Sequence, residues 1–352
     1  MILSYQNEME QRTELSTLGE FGLIDRLTKD NQIKNKTTIV GVGDDCAILD
    51  YKRKQILVST DTMAEGVHFD MVYTPLKHLG YKAAVGNFSD IYAMNGQPKQ
   101  ITIALSVSNR YSVEALDELY AGIRLACEQY GVDIVGGDTT SCLAGMVITI
   151  TVLGEGEKDK IVRRNTAKEN DLVCVTGDLG GAYAGLLVLQ REKTEWKVNP
   201  NVQPNLEGYD YVLERQLKPE AQRWLVEFLN KNNIVPTSMI DISDGLASEV
   251  LHICHDSKVG CEIYMDRIPI DYQTSRTLEE FKIAAETGAL NGGEDYELLF
   301  TIDQKDYDLI KDQKDIHIIG YIREQSAGCK LITKQNTSID IKAQGWDHYK
   351  QS

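Results

Sequence analysis

The 352-residue sequence predicts an α/β protein, because short β-rich segments alternate with amphipathic helical segments along most of its length. Residues 56–61 are typical of the first kind, since apolar and β-branched residues lead directly into an aspartate. Residues 113–130 are typical of the second kind, with apolar residues at helical spacing. We therefore expect packed layers of sheet and helix, with ligands bound at the carboxyl ends of strands.

Aspartates follow four of the predicted strands, and we interpret the strand over 56–61 as buried. If these strands lie side by side, their carboxylates converge on one sheet edge, where a divalent cation such as Mg²⁺ relieves their repulsion. A single aspartate at a strand end is otherwise typical of a turn or a helix N-cap, and residues 41–45 also fit an ordinary Gly-Asp turn. The strands with their carboxylates are 38–43 with Asp44 and Asp45, 56–60 with Asp61, 132–137 with Asp138, and 239–244 with Asp241 and Asp244.

Composition and charge narrow the class of partner. The net charge of −16 argues against nucleic acid or an anionic membrane, but not against a phosphate substrate, because bound magnesium reverses the local field. No apolar run reaches the ~20 residues that span a bilayer, and the N-terminus lacks a signal-peptide pattern. The seven scattered cysteines fit buried thiols in a reducing compartment, so we expect a cytoplasmic protein.

The remaining elements are predicted from periodicity. We place a composition change near 155–165 and hence domains at 1–155 and 156–352, and we interpret the polar stretch 191–215 as a long surface excursion. We take 317–322 as the last core strand. The other predicted helices are 19–27, 78–95, 183–190, 219–232 and 246–254, and the other predicted strands are 100–108, 146–153, 171–176 and 261–265. The strand that carries Asp241 is placed at 238–242.

Some candidate residues carry two interpretations. Asp90 on an apolar helix faces either solvent or a cation, and the glycine-rich turn 177–182 either cradles an anion at a helix start or is only a tight turn. His68 lies in a glycine-containing loop seven residues after Asp61, where a ligand role becomes as plausible as a structural one. A zinc site at His252, Cys254 and His255 is disfavoured, because the three do not share one helix face.

Carboxylates, nearby glycines and few basic residues together indicate a magnesium-dependent enzyme acting on a phosphorylated substrate. The phosphate-binding GxxxxGK[ST] motif and the protein-kinase motifs are absent from the sequence. A non-catalytic acidic scaffold explains the charge, but it does not explain the glycines beside each aspartate.

Nine short motifs occur in order over nearly the whole chain. They are Gly19-Glu20-Phe21, Gly41-Val42-Gly43-Asp44-Asp45-Cys46-Ala47, Ser59-Thr60-Asp61, Gly66-Val67-His68-Phe69, Asn87-Phe88-Ser89-Asp90, Gly136-Gly137-Asp138-Thr139, Asp241-Ile242-Ser243-Asp244-Gly245, Gly292-Gly293-Glu294-Asp295-Tyr296-Glu297 and Gly345-Trp346-Asp347-His348-Tyr349. Together they resemble the thiamine-monophosphate kinase family. The stretches 191–215 and 217–223 depart from the family pattern. A selenophosphate synthetase of the same superfamily is disfavoured, because the first cysteine is Cys46.

The resemblance implies a two-domain α/β fold like that of aminoimidazole-ribonucleotide synthetase. The N-terminal domain would bind ATP and metal and form a homodimer through its sheet, and a second α/β domain would follow. The implied reaction is direct phosphorylation of thiamine monophosphate by ATP with several Mg²⁺ ions, the last step of thiamine diphosphate synthesis. A substrate phosphate oxygen is already anionic near neutral pH, so no residue is needed as a general base.

The resemblance also implies roles for individual residues. ATP would be bound by Gly137, Asp138, Ser243 and Arg164, with neighbouring Arg163 as the alternative to Arg164. Thiamine monophosphate would be bound by His68, Glu294 and Trp346, and an aromatic face suits its cationic ring. The implied magnesium ligands are Asp45, Ser59, Thr60, Asp61, Asp90, Asp138, Asp241 and Asp244.

Overall fold

The structure is a computed structural model that describes residue 13 and residues 15–40, 48–52 and 54–343. Its contacts divide the described chain into two compact units. The first comprises described residues of Met1–Asn87 and Pro98–Gly154, and the second comprises Phe88–Gln97 and described residues of Glu155–Ser352. Sheets and helices occur in both units, which confirms the α/β class. The boundaries of the predicted domains, 1–155 and 156–352, stay a prediction.

The described helices and strands are given in the order in which they occur along the chain. The helices are α1 (Leu15–Thr28), α2 (Leu76–Ala93), α3 (Val113–Tyr130), α4 (Gly181–Val198), α5 (Asp210–Leu217), α6 (Arg223–Lys231), α7 (Leu246–Ser257), α8 (Tyr272–Glu280), α9 (Ala285–Asn291) and α10 (Tyr307–Ile310). The strands are β1 (Thr38–Val40), β2 (Ile48–Leu49), β3 (Gln55–Ala64), β4 (Gln97–Val107), β5 (Asp133–Ser141), β6 (Met146–Gly156), β7 (Leu172–Thr176), β8 (Ser238–Asp241), β9 (Gly260–Tyr264), β10 (Leu298–Ile302), β11 (Ile316–Arg323), β12 (Cys329–Ile332) and β13 (Ser338–Asp340). No helix among the described residues is both long and apolar enough to span a bilayer.

The first unit contains a four-stranded sheet in the order β3-β6-β4-β5, in which β4 and β5 are parallel. One face is covered, because alternate residues of β4 and β6 are buried. The other face is open along β3, where Ile56 and Val58 are 51% and 63% exposed. The expectation that 56–61 is a buried strand is therefore wrong. The strand is an edge strand with one covered face.

Helices α2 and α3 of the first unit pack with their backbones in close approach. A Cβ atom at Gly80 would lie 2.0 Å from the Leu119 carbonyl oxygen, and one at Gly122 would lie 1.9 Å from the Lys77 carbonyl oxygen. Glycine is therefore required at both positions. The close crossing supports α2, which carries Asn87 next to β3.

The second unit contains a seven-stranded sheet in the order β13-β12-β9-β11-β7-β10-β8. Its strand pairs are antiparallel except for β12 and β9, which are parallel. Helix α7 packs on β8, β9 and β10. Its apolar residues Val250 and Ile253 join a buried cluster with Ile263 of β9 and Ile319 of β11.

Two predictions for the second unit are corrected. Residues 191–215 are only partly a surface excursion, because α4 continues to Val198 and α5 begins at Asp210. Val212 of α5 is fully buried, and a Cβ atom at Gly185 of α4 would lie 2.1 Å from its carbonyl oxygen, so α5 is packed against α4. The strand over 317–322 is not the last core strand, since β12 follows it and buries Leu331 against the same sheet.

The aspartate-bearing strands do not lie side by side, so the condition for their carboxylates to converge on one sheet edge is not met. Strand β1 pairs with β2 in a separate sheet, and β8 is at one edge of the second unit's sheet. Strands β3 and β5 are opposite edges of the first unit's sheet, because β6 and β4 hydrogen-bond between them. Strand pairing therefore does not by itself bring these carboxylates to one sheet edge.

Candidate active site

Asp61 lies within β3, three residues before the strand ends at Ala64. Its backbone N–H donates to Oδ1 of Asn87 in α2 at 3.3 Å, and Asn87 is in turn held by its Nδ2 donating to the Ala83 carbonyl. The carboxylate reaches solvent, yet desolvation by surrounding protein raises the pKa of Asp61, while His68 acts in the opposite direction. A cation nearby would favour the charged form of such a carboxylate.

His68 is close to Asp61 because the chain turns back after β3. Gly66 adopts a φ of +83°, and its N–H donates to the Phe69 carbonyl at 2.8 Å. The Ala64 N–H donates to Nδ1 of His68 at 3.0 Å. Since Nδ1 accepts this bond, Nε2 carries the proton of the neutral ring. The structure thus brings two predicted site residues together and selects the tautomer of one of them.

Ser59 and Thr60 precede Asp61 on the same strand but differ in the face that they occupy. Residues alternate along β3, so Ser59 and Asp61 share the covered face with Leu57 and Met63. The Thr60 hydroxyl is on the open face, where it hydrogen-bonds the Thr151 hydroxyl at 2.9 Å. Any metal contact from Thr60 near Asp61 would therefore use its backbone oxygen.

Gly137 and Asp138 lie in β5, at the other edge of the first unit's sheet. A Cβ atom at Gly137 would lie 2.1 Å from the Ile103 carbonyl oxygen, so glycine here permits close strand pairing. Asp138 lies opposite Ala104 in the register, and both are exposed. The structure therefore explains Gly137 by strand packing and leaves the Asp138 carboxylate open to solvent.

In the second unit, two glycine-containing acidic segments lie against each other. The Glu294 N–H donates to the Ser243 carbonyl at 2.7 Å, and the Tyr296 N–H donates to the Ile242 carbonyl at 2.9 Å. Glu294 adopts a φ of +65°, an unusual conformation for a side chain of this kind. Predicted residues from 241–244 and Glu294 are thus brought together.

Glu249 of α7 holds the segment that carries Ser243 and Asp244. Its Oε1 accepts the Asp244 N–H at 2.8 Å and the Ser243 N–H at 3.2 Å. Glu249 is only 2% exposed, and desolvation raises its pKa to about 7, against these backbone hydrogen bonds. Glu249 was not predicted from the sequence, although a glutamate three residues after Leu246 on the apolar face of the helix could have signalled it.

The other carboxylates of the 292–297 motif are directed into the protein. Asp295 is fully buried and accepts the Gly180 N–H at 2.7 Å and the Ala182 N–H at 3.2 Å. The start of α4 is therefore satisfied by a carboxylate of the chain itself, so the glycine-rich turn 177–182 is a helix start capped from within. Desolvation raises the pKa of Asp295 to about 6, and the charge of Arg215 opposes this.

Arg215 pairs with the second buried carboxylate, Glu297. Its guanidinium donates to Oε1 of Glu297 at 2.9 Å, and the Thr176 hydroxyl donates to Oε2 at 2.5 Å. Desolvation lowers the pKa of Arg215, but Glu297 and Asp295 raise it by more. Arg215 was not predicted from the sequence, because it lies in the stretch interpreted as a surface excursion and its partners Asp295 and Glu297 are distant along the chain.

Arg164 is placed away from Ser243 and Asp244. It forms a 2.9 Å ion pair with Asp256 near the end of α7, whereas Ser243 and Asp244 precede the start of that helix. A helix of 12 residues is about 18 Å long, so Arg164 and Ser243 lie near opposite ends of α7.

The other predicted residues are partly or fully buried or lie outside the described chain. Asp90 is half-buried in α2, and Asp241 is buried at the end of β8. Asp45, with its neighbour Asp44, and Trp346 lie outside the described residues.

Known proteins match this chain over nearly its whole length. A family model described as "AIR synthase related protein, N-terminal domain" matches residues 43–155. The chain is 34% identical over 340 residues to the thiamine-monophosphate kinase of Bacillus subtilis (strain 168), covering 95% of this chain and 100% of that protein. The structure of AaThiL complexed with AMPPCP and TMP matches with a TM-score of 0.73 and 31% identity, over 96% and 99% of the two chains. The thiamine-monophosphate kinase from Stenotrophomonas maltophilia K279a matches with a TM-score of 0.75 and 28% identity, over 89% and 95%.

Proposed function

The chain belongs to the thiamine-monophosphate kinase family, and we propose that it transfers the terminal phosphoryl group of ATP directly to thiamine monophosphate, with magnesium. The products would be ADP and thiamine diphosphate. The reaction is the last step of thiamine diphosphate synthesis.

One observation carries this proposal. The chain matches 99% of the AaThiL structure that was solved with AMPPCP and TMP, so the likeness extends over nearly the whole of that two-ligand protein. AMPPCP has the shape and charge of ATP, and TMP fits the phosphate acceptor that the family name gives. The segments 241–244 and 292–294, which carry family motifs, are also packed together within the second unit.

The donor chemistry of the predicted ligands fits magnesium. They offer carboxylate, hydroxyl and backbone oxygens, and Asp61, Asp138 and Asp244 are exposed. When bound, magnesium would offset the repulsion between the two phosphorylated substrates. The chain's own contribution is to position these oxygens through Asn87 and Glu249. We propose as ligands Asp45, Ser59, Thr60, Asp61, Asp90, Asp138, Asp241 and Asp244.

We propose Gly137, Asp138, Arg164 and Ser243 as the residues that bind ATP. Thiamine monophosphate would contact His68, Glu294 and Trp346. The neutral His68 ring would present its Nε2–H to an anionic group, since Nδ1 already accepts the Ala64 N–H. The acceptor phosphate oxygen needs no deprotonation near neutral pH, so none of these residues is assigned as a general base.

Product analysis tests the reaction. The purified chain is incubated with ATP, Mg²⁺ and thiamine monophosphate, with free thiamine in a parallel reaction and excess chelator as the metal control. Thiamine diphosphate and ADP from the monophosphate alone, lost with chelator, are the expected result. Product from thiamine, or ADP without thiamine diphosphate, would contradict the proposed acceptor.

The open face of the first unit's sheet supports a homodimer. Ile56 and Val58 of β3 are half or more exposed there, beside the paired hydroxyls of Thr60 and Thr151. An apolar sheet face of this kind is stabilised by covering it with a second copy. Light scattering of Val58→Glu should show a smaller particle than the parent, whereas Val198→Glu, at the exposed end of α4, should not change the particle size.

We also propose a cytoplasmic location, where ATP is supplied.

A further inference from the structure

Three cysteines distant in sequence meet in the second unit. Cys254 lies in the last turn of α7, Cys261 in β9 and Cys329 in β12. Their sulfur atoms all lie within 4.8 Å of one another. The three sulfurs form a group of possible metal ligands that includes no carboxylate or imidazole of the described residues.

The backbone places Cys261 and Cys329 side by side. They are direct partners in the parallel register of β9 and β12, so their side chains point to the same face of the sheet. Each follows a glycine, and a Cβ atom at Gly260 would lie 2.5 Å from the Gly328 carbonyl oxygen. The two strands can approach this closely because residue 260 is a glycine.

Cys254 reaches the same point from the helix above the sheet. α7 ends in a left-handed residue, Lys258, whose N–H donates to the carbonyls of the last turn, including that of Cys254. The chain then returns within three residues to Cys261. The third sulfur is therefore set by a short, hydrogen-bonded reversal.

The environment excludes most of the solvent. Cys254 and Cys261 are 2% and 0% exposed and belong to the unit's apolar cluster, while Cys329 is half-buried and leaves one side accessible.

We propose that Cys254, Cys261 and Cys329 form a three-thiolate site for a thiophilic metal ion, Cu⁺ or Zn²⁺. Metal–sulfur bonds of about 2.3 Å in a tetrahedral site place sulfurs roughly 3.8 Å apart, which small side-chain rotations can reach from here. Each thiol releases its proton to solvent as its bond to the metal forms. Three soft ligands select such ions over Mg²⁺, which prefers oxygen. A zinc ion would take its fourth ligand from solvent beside Cys329.

The test titrates the reduced full-length protein with Zn²⁺ against a chromophoric chelator, and in parallel with Cu⁺, with excess Mg²⁺ in both. We expect one equivalent of one ion to be bound. Cys261→Ala should weaken binding roughly 100-fold or more, because even the partners that support a metal ligand are worth 10–100-fold. Cys329→Ala, at a half-buried position, should do the same with less risk to folding.

Cys174→Ala is the matched control, because Cys174 is a buried thiol of the same sheet outside the group. It should leave metal affinity unchanged. If the reduced parent protein binds neither Zn²⁺ nor Cu⁺, the proposal is overturned. Uptake that survives replacement of each of the three cysteines would overturn it as well.

Discussion

Carboxylates of the sequence motifs occur in both units, and two from each unit have opposite surroundings. In the first unit, Asp61 and Asp138 lie on edge strands and reach solvent. In the second, Asp295 and Glu297 are 0% and 2% exposed and are bound by Arg215 and by the start of α4. Burying a carboxylate is costly unless it is paired, whereas an exposed one remains able to bind a cation.

The 292–297 motif shows that one short stretch can serve both purposes. Glu294 is at the outer end, with its carboxylate bonded by Gln216, while Asp295 and Glu297 are directed inwards. A carboxylate in a family motif is therefore not automatically a ligand. Burial and partner decide whether it holds the fold or is open to substrate and metal.

The largest expected effect comes from removing the cation of the buried group. Arg215→Met should lower the free energy of unfolding by about 3–5 kcal/mol, because two buried carboxylates lose their partner. Urea denaturation measures this. Arg223→Met, which breaks an exposed ion pair with Glu227, should cost under about 1 kcal/mol. Equal losses in the two variants would remove the distinction between the regions.

Asp61→Asn should lower activity and leave stability almost unchanged, in contrast to Arg215→Met. Turnover with ATP and Mg²⁺ should fall on the order of 100-fold, as when one electrostatic partner of a transition state is lost. Its unfolding free energy should be almost unchanged, because the side chain reaches solvent. Asp30→Asn, at an exposed position of the same unit, serves as the control and should retain activity. Near-normal turnover of Asp61→Asn would exclude it from the metal site.

Glu249 tests how a buried carboxylate supports an exposed one. Glu249→Ala should lower the free energy of unfolding by about 1–3 kcal/mol, because the Ser243 and Asp244 N–H groups lose their acceptor. Glu249→Gln keeps an acceptor oxygen and should lose less. Thermal unfolding of both variants measures the difference. Identical losses would show that the hydrogen bonds to the Ser243 and Asp244 N–H groups do not account for the stabilisation by Glu249.

The smallest expected effect concerns Trp346, outside the described residues. Trp346→Ala should raise the KM for thiamine monophosphate about tenfold, the scale of a cation–π contact, with little change in ATP affinity. Steady-state kinetics with each substrate varied separately distinguishes the two. An equal effect on both substrates would move Trp346 out of the thiamine pocket.

Local patterns predicted the elements whose causes are local. The helix over 113–130 was predicted with the bounds that it has, since its periodicity is reinforced by Ser112, which caps the Ala115 N–H, and by Gly131 with a φ of 72°. The family motifs likewise predicted the fold class and the kinase activity. Whether the aspartate-bearing strands lie side by side could not be read from the sequence, because strand order depends on pairings that periodicity does not encode.

What the sequence alone determined is the identity of the elements, the family and a set of candidate ligands, because these follow from residue type and spacing along the chain. Only the tertiary structure decided which carboxylates are buried and which three cysteines meet. Arg215 finds Glu297 across 82 residues, and Cys254 finds Cys329 from a different element. Contacts of this kind depend on how strands and helices pack, and neither short-range spacing nor composition records that packing.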